Sequence, residues 1–550
     1  MLEKEMQAYA LKNAIDHGSA VVGKVLPKLF NHGLDKKDIG KVMPELNKII
    51  GEVNKMSASE REKKFEEFKE FVKERDVKEK DLPELETHGK KVVVRFKPSP
   101  SGPLSIGHAF VLGLNYLLAK KYNGELLLGI DDTNADNIEK DAYEMIPKDA
   151  DWLTSKGVNG VYVQSDNMET YYAYANELFE KGELYVCTCD PEKFKELINK
   201  KKACPCRELS VEEQKGRWNK MFDSYKKGEA VVRLKTDIKD KNPAMRDFPL
   251  FRINDTKHVR QGTKYRVWPL MNFAVAIDDL KTGVTHVLRG ADHADNAKRQ
   301  AKIHALLGVK TPDTLFFGRI NFLGMPLSTT KMKEDIRAGK YSGWDDIRLP
   351  TLLALRRRGY TAESLLRYAF DIGVTLHDKT VSKDEFFQAI NAHNRVLIDS
   401  EVNRYFFVAN PKKIKIEGVE GERVVEIPLH PSFPKKGRRK LHVKSSFYLA
   451  DEIEKGKTYR LMHLFNFKNE KFVSNEVDDK LKAKMVHWLP ADDKNVRVRV
   501  LMEDGSWVLG LGESDLKKIK KNQVVQFERF GFAILDGKSK DEMLFWFLHK

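Results

Sequence analysis

From Lys91 onward the chain alternates short apolar runs with longer amphipathic ones. Val92–Phe96 predicts a buried strand, Ile106–Tyr122 a helix apolar on most faces, Leu126–Ile130 a second strand running into Asp131-Asp132, and Ile138–Lys156 a second helix. Strand–helix–strand alternation with strands this apolar argues for a parallel sheet, whose ligand crevice lies at the C-terminal strand ends. Upstream, Glu3–His17, Gly40–Lys55 and Ser59–Lys73 read as helices, the last opened by a Ser57-Ala-Ser59-Glu cap signal. A charge-rich linker, Glu74–Glu86 with Pro83, follows. Downstream, a basic irregular stretch runs to about 265. Strand signals resume at Val267–Ile277 and Thr285–Leu288, and helical ones from Trp344 to about Asn394. From about 400 onward, short β-branched and aromatic runs alternate with Gly/Pro/Asp/Lys turns, as in antiparallel barrels.

A chain of 550 residues is too long for one core and implies several domains. No apolar run approaches the roughly 18 residues of a membrane span, and Met1–Ala10 has no signal-peptide core. Both features predict a cytoplasmic protein without membrane contact. Lys and Arg total 97 against 81 for Asp and Glu, an excess that suits a polyanionic partner such as nucleic acid. All four cysteines lie between 187 and 206, which gives no sign of a secreted disulfide framework.

Several segments carry candidate chemistry. Arg95-Phe-Lys-Pro98-Ser99-Pro-Ser-Gly102-Pro-Leu-Ser105-Ile-Gly107-His108 takes a strand through a Pro/Gly/Ser loop into a helix, bringing backbone amides and an imidazole to a phosphate-bearing ligand. Asp131-Asp132-Thr133-Asn134 ends the next strand, where carboxylates can bind an ammonium or simply cap a helix. Cys187-x-Cys189 and Cys204-x-Cys206 form two tight pairs able to close a tetrahedral structural zinc site. Arg289 ends a third strand, placed to fork onto a carboxylate. Leu327-Ser328-Thr329-Thr330-Lys331 is a hydroxyl- and lysine-bearing loop suited to neutralising polyphosphate charge. Arg356–Arg358 and the five cations of Pro434–Lys440 are candidate phosphate contacts. No Ser/His/Asp triad signature is present.

These strings resemble class I aminoacyl-tRNA synthetases of the glutamyl/glutaminyl branch, from about Lys91 to the C-terminus. The resemblance implies a multidomain fold: an N-terminal helical extension (1–88), an α/β Rossmann-type catalytic domain in two halves (89–186 and 266–340), and an α+β zinc-bearing, acceptor-binding insertion (187–265). A helical stem-contact region (341–402) and C-terminal antiparallel β-barrels that bind the anticodon (403–550) complete it. Ser342–Thr351, Arg356–Tyr360 and Asn403–Pro411 extend the likeness. With barrels in its C-terminal part, the chain looks like the archaeal/eukaryotic form of the glutamyl members, whose archaeal representatives also carry an N-terminal extension.

The resemblance further implies ATP with Mg2+ and structural Zn2+ as cofactors. Glutamate would be activated to an adenylate and transferred to tRNA(Glu), with tRNA(Gln) left open as a second acceptor. ATP falls to Pro98, Gly102, Gly107, His108 and Lys331, with His108, Lys331, Ser328 and Ser105 as the catalytic set. The amino acid falls to Arg95, Ser99, Asp131, Met271 and Arg289, and the metal to the four cysteines. The chain departs from the family at Ser105 (usually histidine), Gly129 (arginine), Met271 (tyrosine) and Thr329 (lysine). Arg289 argues against a glutaminyl member, because an unpaired guanidinium binds a neutral amide poorly. A third reading is a tRNA-binding paralogue without activation. The N-terminal region reads as a docking module for another protein or as a purely structural one.

Overall fold

The computed structural model describes residues 2–72, 81–492, 494–540 and 542–550, in two compact units divided at Lys80/Asp81. Most of the expected Glu74–Glu86 linker, residues 74–80, lies outside the described residues, as does Lys73 at the end of the third expected helix.

The first unit is helical: Glu3–His17, Val22–Leu29, Ile39–Lys55 and Ala58–Phe68. Leu11, Ala14, Val25, Leu29, Leu46, Ile49 and Val53 form its core. The predicted cap is present, Ser57 and Glu60 satisfying each other's backbone amides. Arg61 donates to the carbonyls of Gly18 (2.7 Å), Val53 (3.1 Å) and Asn54 (3.1 Å), tying together the C-terminal ends of two helices. The short helix Val22–Leu29, interrupted by Pro27, was not legible from periodicity.

In the second unit Glu125–Ile130 is flanked by Val93–Phe96 and Gly160–Val163, all parallel. His286–Gly290 pairs in parallel with Asp313–Phe317. The Thr285 amide donates to the Val93 carbonyl (2.9 Å) and joins this second half to the first. The chain therefore builds outward from Val93–Phe96 in one direction, then returns to its other side with His286–Gly290. That reversal is the topological switch point at which ligands enter doubly wound sheets. The helix Ile106–Lys121 covers the sheet and crosses Ala362–Ile372 closely; a Cβ on Gly113 would come 3.3 Å from Ala369 and Leu366.

The insertion is a four-stranded antiparallel sheet of Leu184–Cys187, Val231–Leu234, Pro249–Ile253 and Val267–Pro269. One expectation fails here. Val267–Ile277 is not a strand: only Val267–Pro269 is, and it belongs to this sheet, whereas Met271–Lys281 is a helix. A short apolar run fits a buried helix as well as a strand, and periodicity alone does not separate them. The expected helical stretch after Trp344 resolves into Leu352–Arg358, Ala362–Ile372 and Lys383–Ile398. A strand, Lys379–Ser382, precedes the last and pairs with Ile320–Leu323.

The C-terminal region is β-rich. Asn403–Tyr405 and Phe407–Ala409, separated by Phe406 alone, stand at opposite ends of a seven-stranded sheet order, which therefore nearly closes into a barrel. Its other strands lie between Val496 and His549. The segment between, Lys412–Pro490, forms a second β unit with its own core around Phe447, Tyr459, Phe467 and Trp488. Among the described residues no helix is long and apolar enough to cross a membrane.

Candidate functional site

Three cavities meet at the C-terminal ends of the parallel strands. One of about 310 Å³ is lined by Arg95, Lys97, Ser99, Asp131, Met271 and Arg289, with Asn296 and Gln300 across from them. It thus gathers all five residues that the sequence assigned to the amino acid. A neighbouring cavity of about 270 Å³ shares Ser99, Asp131 and Met271 with it and adds Asn134 and Arg252. A third of about 220 Å³ shares His293 and reaches Gly107.

The charges of the first cavity pair in a definite way. Arg95 forks onto Asp279, Nε to Oδ1 at 3.0 Å and Nη2 to Oδ2 at 3.2 Å. Lys97 Nζ donates to Asp278 Oδ2 at 2.7 Å. Two groups remain. Arg289 donates from Nη2 to the neutral Gln300 (2.9 Å), and its buried Nε has no partner among the described residues. Burial and the nearby Arg95 push it down to about 10. Asp131, whose carboxylate has no ion-pair partner among the described residues, is pushed up by burial, against which Lys97 acts. One open cation and one open anion thus face the same space.

Asp132 plays a different part from Asp131. It is buried, accepting from Tyr143 Oη (2.7 Å), Ser165 N (2.8 Å) and Ser165 Oγ (2.7 Å), and so fixes the wall and offers nothing to a ligand. Gly129 is glycine for a steric reason: a Cβ there would lie 2.7 Å from Tyr162 Cζ and 3.0 Å from Lys97 Cγ. Met271 sits on the first turn of its helix with Sδ 3.9 Å from Gln300 Nε2.

The loop Pro98–Gly102 is pinned on both sides, Asp131 N donating to Pro98 O (3.0 Å) and Glu139 N to Pro100 O (2.8 Å). At the helix start the Ile106 amide is spent on Pro350 O (3.1 Å), leaving less of that terminus open to phosphate than the sequence suggested. The Ser105 amide donates to His108 Nδ1 at 3.2 Å, which puts the ring proton on Nε2. Desolvation lowers the imidazole to about 4, so it is neutral at physiological pH.

Ser328 and Lys331 do not occupy a free loop. Ser328 caps the helix Thr329–Arg337 by accepting from Lys331 N (3.3 Å). The exposed Lys331 ammonium lies 3.3 Å from Asp335 and 3.7 Å from Glu334. The segment nevertheless abuts the phosphate loop: a Cβ on Gly102 would come 2.7 Å from Thr329 Cγ2, and Lys333 pairs with Glu139.

The four cysteine sulfurs lie within 4.8 Å of one another, with Cys187–Cys204 and Cys189–Cys206 each at 3.8 Å. A tetrahedral zinc with bonds of about 2.3 Å separates its sulfurs by about 3.8 Å. The donor set therefore fits zinc, and the contacts run between the two pairs.

Within the two candidate phosphate-contact clusters, three cations are tied into the fold, while Lys435, Arg438 and Lys440 stay exposed. Arg357 pairs with Asp345 and Asp536 (2.7 and 2.8 Å), and buried Arg358 donates to Leu548 O (2.9 Å). Arg439 is fully buried against Glu513 and Glu528. The sequence reading missed Lys97, Asp278, Asp279 and Gln300. Lys97 follows Arg95 by two, hence on the same strand face. Asp278-Asp279 is a charged pair ending the apolar run Phe273–Ile277. Both signals were readable.

A family model described as the catalytic domain of class I tRNA synthetases (E and Q) matches residues 91–394. Two models of anticodon-binding domains of the same class match residues 402–487 and 485–536. The chain is 43% identical to the glutamate–tRNA ligase of Methanocaldococcus jannaschii and 42% identical to that of Methanobrevibacter smithii, each alignment covering 100% of both proteins. A solved glutamate tRNA ligase from Elizabethkingia meningosepticum matches at 16% identity and a TM-score of 0.39, covering 56% of this chain and 71% of that one, a likeness too slight to carry an argument.

Proposed function

The chain belongs to the class I tRNA synthetases of the E and Q branch, an aminoacyl-tRNA ligase family, and from that premise we propose that it charges tRNA(Glu) with glutamate. The observation that carries the choice of amino acid is the open pair in the cavity. Arg289 is a desolvated guanidinium that donates to a neutral amide and has no carboxylate partner among the described residues, and it suits a γ-carboxylate. Asp131 suits the α-ammonium. A glutamine side chain would leave Arg289 uncompensated, which costs far more than a missing methylene does.

The reaction follows from positioning and charge, with no protein nucleophile. The glutamate α-carboxylate attacks the α-phosphorus of Mg·ATP; the bond to the β-phosphate oxygen breaks and pyrophosphate leaves. A terminal ribose hydroxyl of the tRNA then attacks the mixed anhydride and releases AMP. Pro98, Gly102 and Gly107 shape the nucleotide side, and neutral His108 donates from Nε2 to a phosphate oxygen. Lys331 and Ser328 complete the catalytic set once the ammonium leaves Asp335 for the phosphates. Ser105 holds the His108 tautomer. Zinc in the cysteine cluster would brace the acceptor-binding insertion and take no part in the chemistry. tRNA(Gln) is a second candidate acceptor, the N-terminal unit a docking module, and the cytoplasm the place of work on this reading.

The test is ATP–pyrophosphate exchange with tRNA present. Glutamate should support exchange and glutamine should not; Arg289→Gln should abolish the response to glutamate. Exchange with glutamine would overturn the substrate, and tRNA binding without any exchange would overturn the enzyme.

A further inference from the structure

Lys97 lies outside the residues the motifs assigned, yet its side chain is among the most constrained in the amino-acid cavity. It is only 5% exposed, and its acceptor cannot swing away: Asp278 also takes bonds from Tyr171 Oη (2.6 Å) and Gln164 Nε2 (2.7 Å). The lysine stem lies over Gly129, where any Cβ would crowd its Cγ, and the Tyr162 ring stands 5.3 Å from Nζ. The consequence is a division of labour between two carboxylates. Asp278, buried behind the lining, is neutralised by Lys97. Asp131, which lines the cavity, is left open.

We propose that Lys97 is a specificity-determining and positioning residue: by covering Asp278 it leaves Asp131 as the one open carboxylate, and so directs the ammonium of an acidic amino acid to Asp131 and its side-chain carboxylate to Arg289. The inference rests on the glutamate reading of this cavity. Without the Lys97 charge, Asp278 becomes a second anion that competes for the ammonium and raises the proton affinity of Asp131. The charged groups acting on Asp131 are Lys97, Asp132, Asp278 and Arg95; those acting on Lys97 are Asp278, Asp279, Tyr162 and Arg95. Removing Lys97 takes away the largest influence favouring ionised Asp131, so the acid limb of activity moves to higher pH.

The test compares Lys97→Met, Lys97→Arg and Lys97→Met/Asp278→Asn in the full chain by glutamate-dependent, tRNA-stimulated exchange. Lys97→Met should raise the glutamate KM about tenfold and move the acid limb of kcat/KM up by about one pH unit, with the ATP KM unchanged. Lys97→Arg should keep most of the affinity. The double variant should recover much of the loss, because the competing charge has gone with its cover. An unchanged glutamate KM in Lys97→Met, an ATP KM rising in step, or a double variant worse than the single one overturns the proposal. Absence of glutamate-dependent exchange in the unaltered protein overturns the glutamate reading itself and this inference with it. A normal parent beside an unaffected Lys97→Met overturns this inference alone. The thermal melt of Lys97→Met, set beside those of the parent and the charge-preserving Lys97→Arg, shows whether its loss reflects misfolding.

Discussion

Arg439 and Glu513 form a buried ion pair between the inserted β unit and the closing barrel, Nε to Oε2 at 2.8 Å with neither side chain exposed. Glu513 also accepts from the Phe406 amide (2.6 Å), at the corner where the seven-stranded sheet closes, and Arg439 reaches Glu528 at 2.9 Å. Burial pushes Glu513 up to about 7, and Arg439 is the main influence opposing it. Removing one partner of such a pair leaves the other buried without compensation. Arg439→Met should therefore cost about 3–5 kcal/mol, seen as a lower denaturation midpoint of the C-terminal region. Arg439→Met combined with Glu513→Gln should recover part of it. Arg438 and Lys435, on the same basic segment but exposed, should tolerate alanine.

Asp149 organises the phosphate loop from behind. Its Oδ2 accepts from the Leu104 amide at 3.1 Å, and burial pushes the carboxyl up to about 7. The folded value lies above the ordinary 3.8, so the fold favours the neutral acid. That contribution is complete below about pH 4 and gone once pH passes about 7. Asp149→Asn keeps an acceptor for Leu104 without the charge. Its thermal stability should depend less on pH between 4 and 7 than the parent's, and it should equal or exceed the parent's above 7. Asp149→Ala should lose about 1–3 kcal/mol by orphaning the amide.

His108 should leave no inflection near pH 6.5 in the exchange profile, because its imidazole titrates near 4 and remains a neutral Nε2–H donor above that. Its alanine variant should lower kcat about 100-fold, the scale of losing one aimed donor. Full activity in His108→Ala would remove it from the nucleotide side.

The cysteine cluster predicts close to one zinc per chain by atomic absorption. Chelation or Cys206→Ser should lower the thermal midpoint of the insertion and raise the KM for tRNA while leaving the glutamate KM at saturating tRNA unchanged, because the cluster lies in the insertion and not at the strand ends. Chelation that raises the glutamate KM at saturating tRNA would place the metal closer to the chemistry.

The strands Val93–Phe96, Glu125–Ile130 and His286–Gly290, the loop from Arg95 to His108, the four cysteines and the β-rich C-terminal part were legible along the chain, whereas Gly160–Val163 and Asp313–Phe317 were not. Each legible feature is local: a strand's apolar run, a turn's proline and glycine, or a ligand spacing is written in consecutive residues. Arg95, Ser99, Asp131, Met271 and Arg289 could be named through the family resemblance, and they meet in one cavity because each falls at or beside a strand end, and strand ends share one rim in this topology. Tertiary structure decided which charges are free. Arg95 looks like a ligand group in sequence and is forked to Asp279, 184 residues away. Asp131 and Asp132 are adjacent and alike, yet one faces the cavity and the other the core, because successive residues leaving a strand point to opposite sides. The same holds for Arg439, surface-like within a run of cations and wholly buried in the fold. Pairing across such distances depends on packing that no window of sequence contains.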